Sequence, residues 1–303
     1  ICEGLVGSEM CIRDSWYAST YFDGNDYASL IVKTREGRPI KVEGNDLSQV
    51  TKGGTNARVQ ASVLSLYDSS RLTGPKADGK DSSWDKVDAG IVKGLEAVSA
   101  KAGAIRILSS TIISPSTKAV IADFVAKYPT AKHITYDEVS YAGILNANAQ
   151  TFGTPIVPSY NFDKADVIVG IGADFLANWL SPIEYSRQYA ETRKVSAEKQ
   201  HMSEHFQFET NLSLTGANAD VRTPVKLSDQ GKVAVNLYNA IAKIVGGTTI
   251  AESKLACQAS IEKAAKSLTA AKGKALVVSG SNDTDVQLVI NGINQLLGSY
   301  GAT

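Results

Sequence analysis

Cysteine is nearly missing from this chain: 303 residues contain three, Cys2, Cys11 and Cys257. One thiol beyond the first fifteen residues cannot build an internal disulfide framework, and Cys257 falls in a helical pattern, as a small buried hydrophobe does. Excess charge of either sign is missing too, with 31 basic residues against 31 acidic ones. That balance excludes the electrostatic footprint of a protein that binds nucleic acid or a polyanionic surface. No apolar run reaches the roughly eighteen residues of a bilayer-spanning helix, and no charged-then-apolar leader is visible near the start. Histidine is scarce, with His133, His201 and His205 alone. The pair in HMSEH does not match the HExxH of zinc proteases and has no identifiable third ligand, so it reads as a solvent-facing pair on a helix.

What is present is the composition of a globular chain, 43% hydrophobic and 20% charged, long enough for two cores. ASLIVKTREGRPIKVEGN from residue 28 is two alternating runs joined by Arg35-Glu36-Gly37, which predicts a hairpin. Thr55 is placed to cap a short helix bearing Val59, Val63, Leu64 and Leu66, and residues 68–83 form a polar connector. Strands and helices then alternate. Helices are expected near 83–101, 115–128, 138–150, from 181, 231–244, 252–271 and 284–297, and strands near 104–108, 133–136, 166–172, 193–197 and 274–280. This βαβ spacing predicts an α/β fold of doubly wound parallel sheets behind a small N-terminal β unit.

The sharpest local signal is VIVGIGADF. A buried strand runs into a turn at Gly170, Gly172 and Asp174, where the carboxyl end of a parallel strand commonly meets a ligand. The third glycine of a dinucleotide fingerprint is absent, and taken alone the residues read as a strand-end turn. Ser140, in VSYAG, lacks the GxSxG elbow of a catalytic serine.

Several phrases in order resemble one family. REGRPIKVEGND, GGTNARVQASVLSLYDSSRLTGP, SSWDKVDAGI, VIVGIGADF and ANADVRTPVKLSDQG follow the series found in molybdopterin oxidoreductases. WYASTYFDGNDYASLIVKTREGRPIKVEGN, ILSSTIISPSTKAVIADF and VSAEKQHMSEHFQFETNLSLTGANADVR look closest to the iron–sulfur and molybdopterin-like subunit of bacterial alternative complex III, in its Bacteroidetes form. The resemblance spans residues 16–303. It implies a small β/α unit at 16–82 and a molybdopterin-like α/β region at 83–303, with an inserted subdomain at about 115–248 and a C-terminal truncation. Residues 1–15, with GLVGSEMCIRDS, resemble translated sequencing-adapter DNA, so Cys2 and Cys11 are not counted as metal ligands.

The departures from the family decide what the resemblance implies chemically. Asn56 stands where the last cysteine of a [4Fe–4S] site is expected, and an amide cannot replace a thiolate on iron. Arg58, placed between cluster and pterin in catalytic members, is expected to make a structural ion pair. The cofactor turn reads Gly172-Ala173-Asp174-Phe175 in place of Gly-x-Asn-Pro. Two later phosphate phrases read Ala197-Glu198-Lys199 and Leu227-Ser228-Asp229-Gln230. Ser140 lies near the position of the family's molybdenum ligand. The expected function is a cofactor-free scaffold in a respiratory quinol oxidoreductase, with [4Fe–4S] and [3Fe–4S] clusters in a missing C-terminal part. Its expected partners are a multiheme cytochrome and integral membrane quinol-binding subunits, on the periplasmic face of the inner membrane. Two alternatives are a genuine molybdopterin-guanine-dinucleotide oxidoreductase with Ser140 on the metal, and an unrelated nucleotide-binding α/β enzyme using Gly170 and Gly172.

Overall fold

The computed structural model describes residues 14–24 and 26–303. Cys2 and Cys11 lie outside the described residues, as does most of the stretch read as adapter-derived; its last two residues open strand β1 (Asp14–Asp23). β1 pairs antiparallel with β2 (Asp26–Arg35), and β2 with β3 (Arg38–Gly44) across the expected turn at Glu36-Gly37. The β unit therefore has one more strand than the alternating runs reveal. α1 (Ala57–Ala61) continues into a 3₁₀ segment, Ser62–Tyr67.

Two compact units form. One comprises residues 61–139, and the other joins the N-terminal segment through residue 60 to residues 140–303. This division differs from the expected boundary at 82 and from an insert at 115–248. Strands on both sides of residue 248 enter one sheet, so no unit ends there. In the smaller unit, β4 (Lys76–Ala77) and β5 (Lys80–Asp81) form a short hairpin. α2 (Trp84–Ser99), β6 (Ile105–Ser109), α3 (Pro115–Lys127) and β7 (Ala131–Thr135) follow, with β6 and β7 parallel. Ser114 caps α3 by accepting from the Thr117 N–H, with Pro115 at the first helical position, where its missing N–H costs nothing.

The larger unit is built on a parallel sheet of order β10-β9-β8-β11: β8 (Val167–Ile171), β9 (Glu204–Glu209), β10 (Val221–Pro224) and β11 (Ala275–Ser279). β8 and β11 are buried along their whole lengths, as strands covered on both faces must be. On one face Val169, Phe206, Phe208 and Val277 pack with Leu237 and Ile241 of α7 (Gln230–Val245), Ile261 and Leu268 of α8 (Gln258–Ala270), and Ile290 and Ile293 of α9 (Thr284–Leu297). On the other, Ile168, Leu276 and Val278 meet Ile144 of α4 (Ala142–Phe152) and the aromatic side chains Tyr185 and Tyr189 of α5 (Pro182–Arg193).

Three sequence expectations change. Residues 194–197 form no strand; the chain runs on to β9, which begins seven residues after the expected strand's end at about 197. α4 starts at Ala142 and α8 at Gln258, later than periodicity implied. Ahead of α8, the extended backbone is held by Asn239, whose amide bonds Ile250 N–H and C=O at 2.9 and 2.8 Å, and by Asn236, which bonds Ser253.

Candidate functional site

β8 has β9 on one side and β11 on the other, so the chain reverses direction across the sheet beside β8. The carboxyl ends of β8 and β11 are the topological switch point, where α/β sheets accept ligands. Gly170, Gly172 and Asp174 lie there, and Ser140 stands just ahead of α4, whose Gly143 N–H bonds Asn282 beyond β11. Arg58 does not belong to this group; it is engaged at the N-terminal β unit with Asp26.

At this edge the chain's own side chains fill the space that glycine opens. Gly172 has φ +65°, the left-handed region that glycine tolerates. A Cβ on Gly170 would overlap the Gln207 amide, and one on Gly172 would lie 2.6 Å from Gln230 Oε1. Gln230 occupies the last position of the Leu227–Gln230 phrase. The strand-end amides are also committed: Gly172 N–H donates to Phe208 C=O (2.8 Å), Gly280 N–H to Ile171 C=O (3.0 Å) and Ser281 N–H to Ser279 Oγ (3.2 Å). Gln287 Nε2 of α9 donates to the carbonyls of Ser279 and Ser281, and Gly143 N–H at the start of α4 donates to Asn282 Oδ1 (2.8 Å).

Asp174 faces the protein. Its Oδ1 accepts from Thr215 N–H (3.0 Å) and Thr215 Oγ (2.7 Å), in α6 (Leu214–Ala217). Phe175 beside it is fully buried, stacked on Phe162 with ring centroids 4.3 Å apart. Ser140 Oγ accepts from Ala142 N–H (3.2 Å) in a local turn.

The second place the resemblance marks is the junction of β2 and α1. Asn56 Oδ1 accepts from Val59 N–H (3.0 Å), which makes Asn56, not Thr55, the helix cap. Its Nδ2 donates to Asp26 Oδ2 (2.9 Å), and Arg58 Nη2 reaches the same oxygen at 2.6 Å. Asp26 is fully buried, so these two donors hold its charge out of water.

A third feature was not read from the sequence. His205, Gln207 and Glu209 alternate along β9 with Phe206 and Phe208, and every one of them is buried. The period-2 pattern in HFQFE was the available signal. His205 sits on a strand in the interior, which corrects the reading of a solvent-facing helical pair. Its Nδ1 is 3.1 Å from Tyr189 Oη and its Nε2 is 3.3 Å from Gln207 Oε1. Burial holds the imidazole down at about 4, so at neutral pH it carries no charge. Glu209 accepts from Ser213 Oγ and Arg222 Nε, both at 2.5 Å. Burial pushes its carboxyl upward, but these bonds outweigh it and the net displacement is downward. Asp220 takes both Arg193 amines, at 2.6 and 2.8 Å.

The residues present fit neither group that the resemblance implies. A [4Fe–4S] cluster needs four thiolates, whereas the described residues hold Cys257 alone and the junction is closed by Asp26, Asn56 and Arg58. A nucleotide phosphate needs open glycine and free N–H donors. Here glutamine amides fill the glycine space, and carboxylates lie nearby.

No family model matches the chain. It is weakly homologous to the menaquinone reductase, molybdopterin-binding-like subunit of Nitratidesulfovibrio vulgaris, at 24% identity over 221 residues, covering 70% of this chain and 30% of that protein. Its fold is shared with acetylene hydratase from Pelobacter acetylenicus, with a TM-score of 0.56 and 14% identity, over 95% of this chain and 42% of the other. The formyltransferase/hydrolase complex of Methylorubrum extorquens gives a TM-score of 0.46 at 16% identity, over 75% of this chain and 56% of that one, too low to argue a common fold. The chain thus spans less than half the length of either the curated relative or acetylene hydratase.

Proposed function

We propose that this chain is a cofactor-free, molybdopterin-like scaffold domain of a respiratory quinol oxidoreductase of the alternative complex III type. The observation that carries the reading is that the side chains standing where the resembled family binds cluster and nucleotide are bonded to one another: Asn56 and Arg58 to Asp26, and Asp174 to Thr215. Homology to a subunit of a menaquinone reductase supports the respiratory setting. In this reading the domain supplies a rigid parallel sheet and docking surfaces. Iron–sulfur clusters elsewhere in the protein carry electrons, a multiheme cytochrome and quinol-binding membrane subunits are the partners, and the location is the periplasmic face of the inner membrane. Nothing in the geometry of Ser140 favours a molybdenum ligand, since its hydroxyl serves a local turn.

Metal and nucleotide content of the native complex tests this. Elemental analysis of the purified complex is expected to show iron without molybdenum or tungsten, and acid extraction to release no guanine nucleotide. One molybdenum per copy, with a matching amount of guanine nucleotide, would overturn the proposal.

A further inference from the structure

The aromatic side chains on the α4 and α5 face of the larger unit's sheet form one run of neighbouring rings. Trp179 lies 5.4 Å from Tyr160, Tyr160 6.1 Å from Tyr185, and Tyr185 4.9 Å from Phe162. Phe162 is 4.3 Å from Phe175, and Phe175 is 5.7 Å from Tyr189. Core packing accounts for the rings. It does not account for what Tyr189 meets at the end of the run, where its hydroxyl is 3.1 Å from His205 Nδ1 and 3.0 Å from Asn218 C=O.

The hydrogen count fixes the direction of these bonds. Gln207 Nε2 donates to Ala173 C=O (3.2 Å) and to Glu209 Oε2 (3.5 Å), a carbonyl and an ionised carboxylate that donate nothing in return. Gln207 therefore turns its oxygen to His205 Nε2, 3.3 Å away, and that nitrogen carries the hydrogen. The neutral imidazole is left with a bare Nδ1. If Tyr189 donated to Asn218, two lone pairs would face each other in the interior, whereas Asn218 stands at the surface, where water serves a carbonyl. Tyr189 thus donates to His205, a phenol aimed at a vacant base.

Burial pushes the phenols of Tyr160, Tyr185 and Tyr189 upward, so all three are protonated at neutral pH. A buried phenol gives up an electron readily only when its proton leaves too, because the radical cation would be an unsolvated charge. Tyr185 bonds the Tyr160 backbone, which cannot take up a proton. Among the described residues of this run, Tyr189 is the phenol that meets a nitrogen base.

We infer that Tyr189 and His205 form a proton-coupled redox pair that collects oxidising equivalents from the aromatic run. The oxidants are of the oxygen-radical class, such as peroxyl radicals. One electron leaves Tyr189 and passes along the run to the oxidant, which becomes a hydroperoxide after taking a proton from water. The Oη–H bond of Tyr189 breaks and an N–H bond forms at His205 Nδ1, leaving a neutral tyrosyl radical and an imidazolium. Both imidazolium N–H groups are then satisfied, Nδ1–H by Tyr189 Oη and Nε2–H by Gln207 Oε1. The carboxylates of Asp220 and Glu209 favour its charge, and Arg193, 5.5 Å over the Tyr189 ring, opposes it. A thiol donor returns the electron and Nδ1 returns the proton. This inference is independent of the respiratory reading and of whether any cofactor binds.

The test uses the full-length protein made with ring-deuterated tyrosine, oxidised by flash-generated tris(bipyridine)ruthenium(III), frozen at set times and read by electron paramagnetic resonance. Signals of metal centres persist in every sample and subtract. A tyrosyl signal narrowed by deuteration is expected, and it should vanish in Tyr189→Phe. In His205→Gln its formation is expected to slow by about a hundredfold, the low end of what a positioned base contributes. Because Tyr189→Phe removes a buried hydroxyl and can unfold the protein, fluorotyrosine at position 189 gives a second measurement: it keeps the hydroxyl and must add fluorine splitting to the radical. Absence of a tyrosyl signal, a signal kept in folded Tyr189→Phe, no fluorine splitting, or an unchanged rate in His205→Gln would overturn the inference.

Discussion

Asn56 combines two duties in one side chain: its oxygen caps α1 and its nitrogen holds the buried Asp26 carboxylate. Cysteine can do neither, so Asn56→Cys is expected to destabilise the protein by about 1–2 kcal/mol without restoring a cluster. Arg58→Ala leaves Asp26 buried with one donor. Because Arg58 is half exposed, the expected loss is about 2 kcal/mol, below that of a fully buried pair. Urea denaturation checks both. His205 makes a pH prediction. Unfolded, it titrates near 6.5; folded, near 4. Between those values the unfolded chain binds a proton that the folded chain excludes. The contribution is therefore complete above about pH 6.5 and is lost as pH falls toward 4, by about 3 kcal/mol at most. Melting temperature should fall across that window and fall less in His205→Gln. Glu209 and Asp220, held below their ordinary range, lose their contributions only at lower pH. Asn56 itself, with no cysteine between residues 16 and 56, was legible in the sequence. Its partner Asp26 was not, because nothing local links positions thirty residues apart.

Strands whose buried residues are apolar could be read from the sequence, and the strand that buries polar residues could not. β8 and β11 are short apolar runs bounded by glycine, and both were found close to their observed limits. β9 was missed because His205, Gln207 and Glu209 look solvent-facing until Tyr189 and Phe175 cover the first, Ala173 C=O meets the second and Ser213 and Arg222 meet the third. Residues 193–197 looked strand-like, yet Arg193 ends α5 and is held by Asp220 and by Ser203 C=O. The approach of the backbones just beyond β8 and β11 is tight enough to test. A Cβ on Gly280 would overlap the Gly172 carbonyl, which is backbone and cannot swing aside. Gly280→Ala is expected to cost about 3 kcal/mol or more, and Gly170→Ala less, since only the end of Gln207 must move. Calorimetry on the two variants would show the order.

For the whole molecule, charge balance makes a negative prediction: with no net charge, the chain should not be retained on heparin or on anionic phosphatidylglycerol vesicles at low ionic strength. Co-sedimentation at two salt concentrations checks this. By itself the sequence determined the fold class, the α/β alternation, the hairpin at residues 28–45 and the absence of cysteine from residues 16–56. These follow from local periodicity, turn chemistry and residue identity, which act over a few neighbours. Only the tertiary structure decided that the separate unit is residues 61–139, and that Asp174 serves Thr215 while Arg58 serves Asp26. It alone also showed that Gln207 and Gln230 fill the space beside the strand-end glycines. Each of those facts depends on which distant side chains meet when the sheet assembles, and burial sets that pairing through the whole core at once.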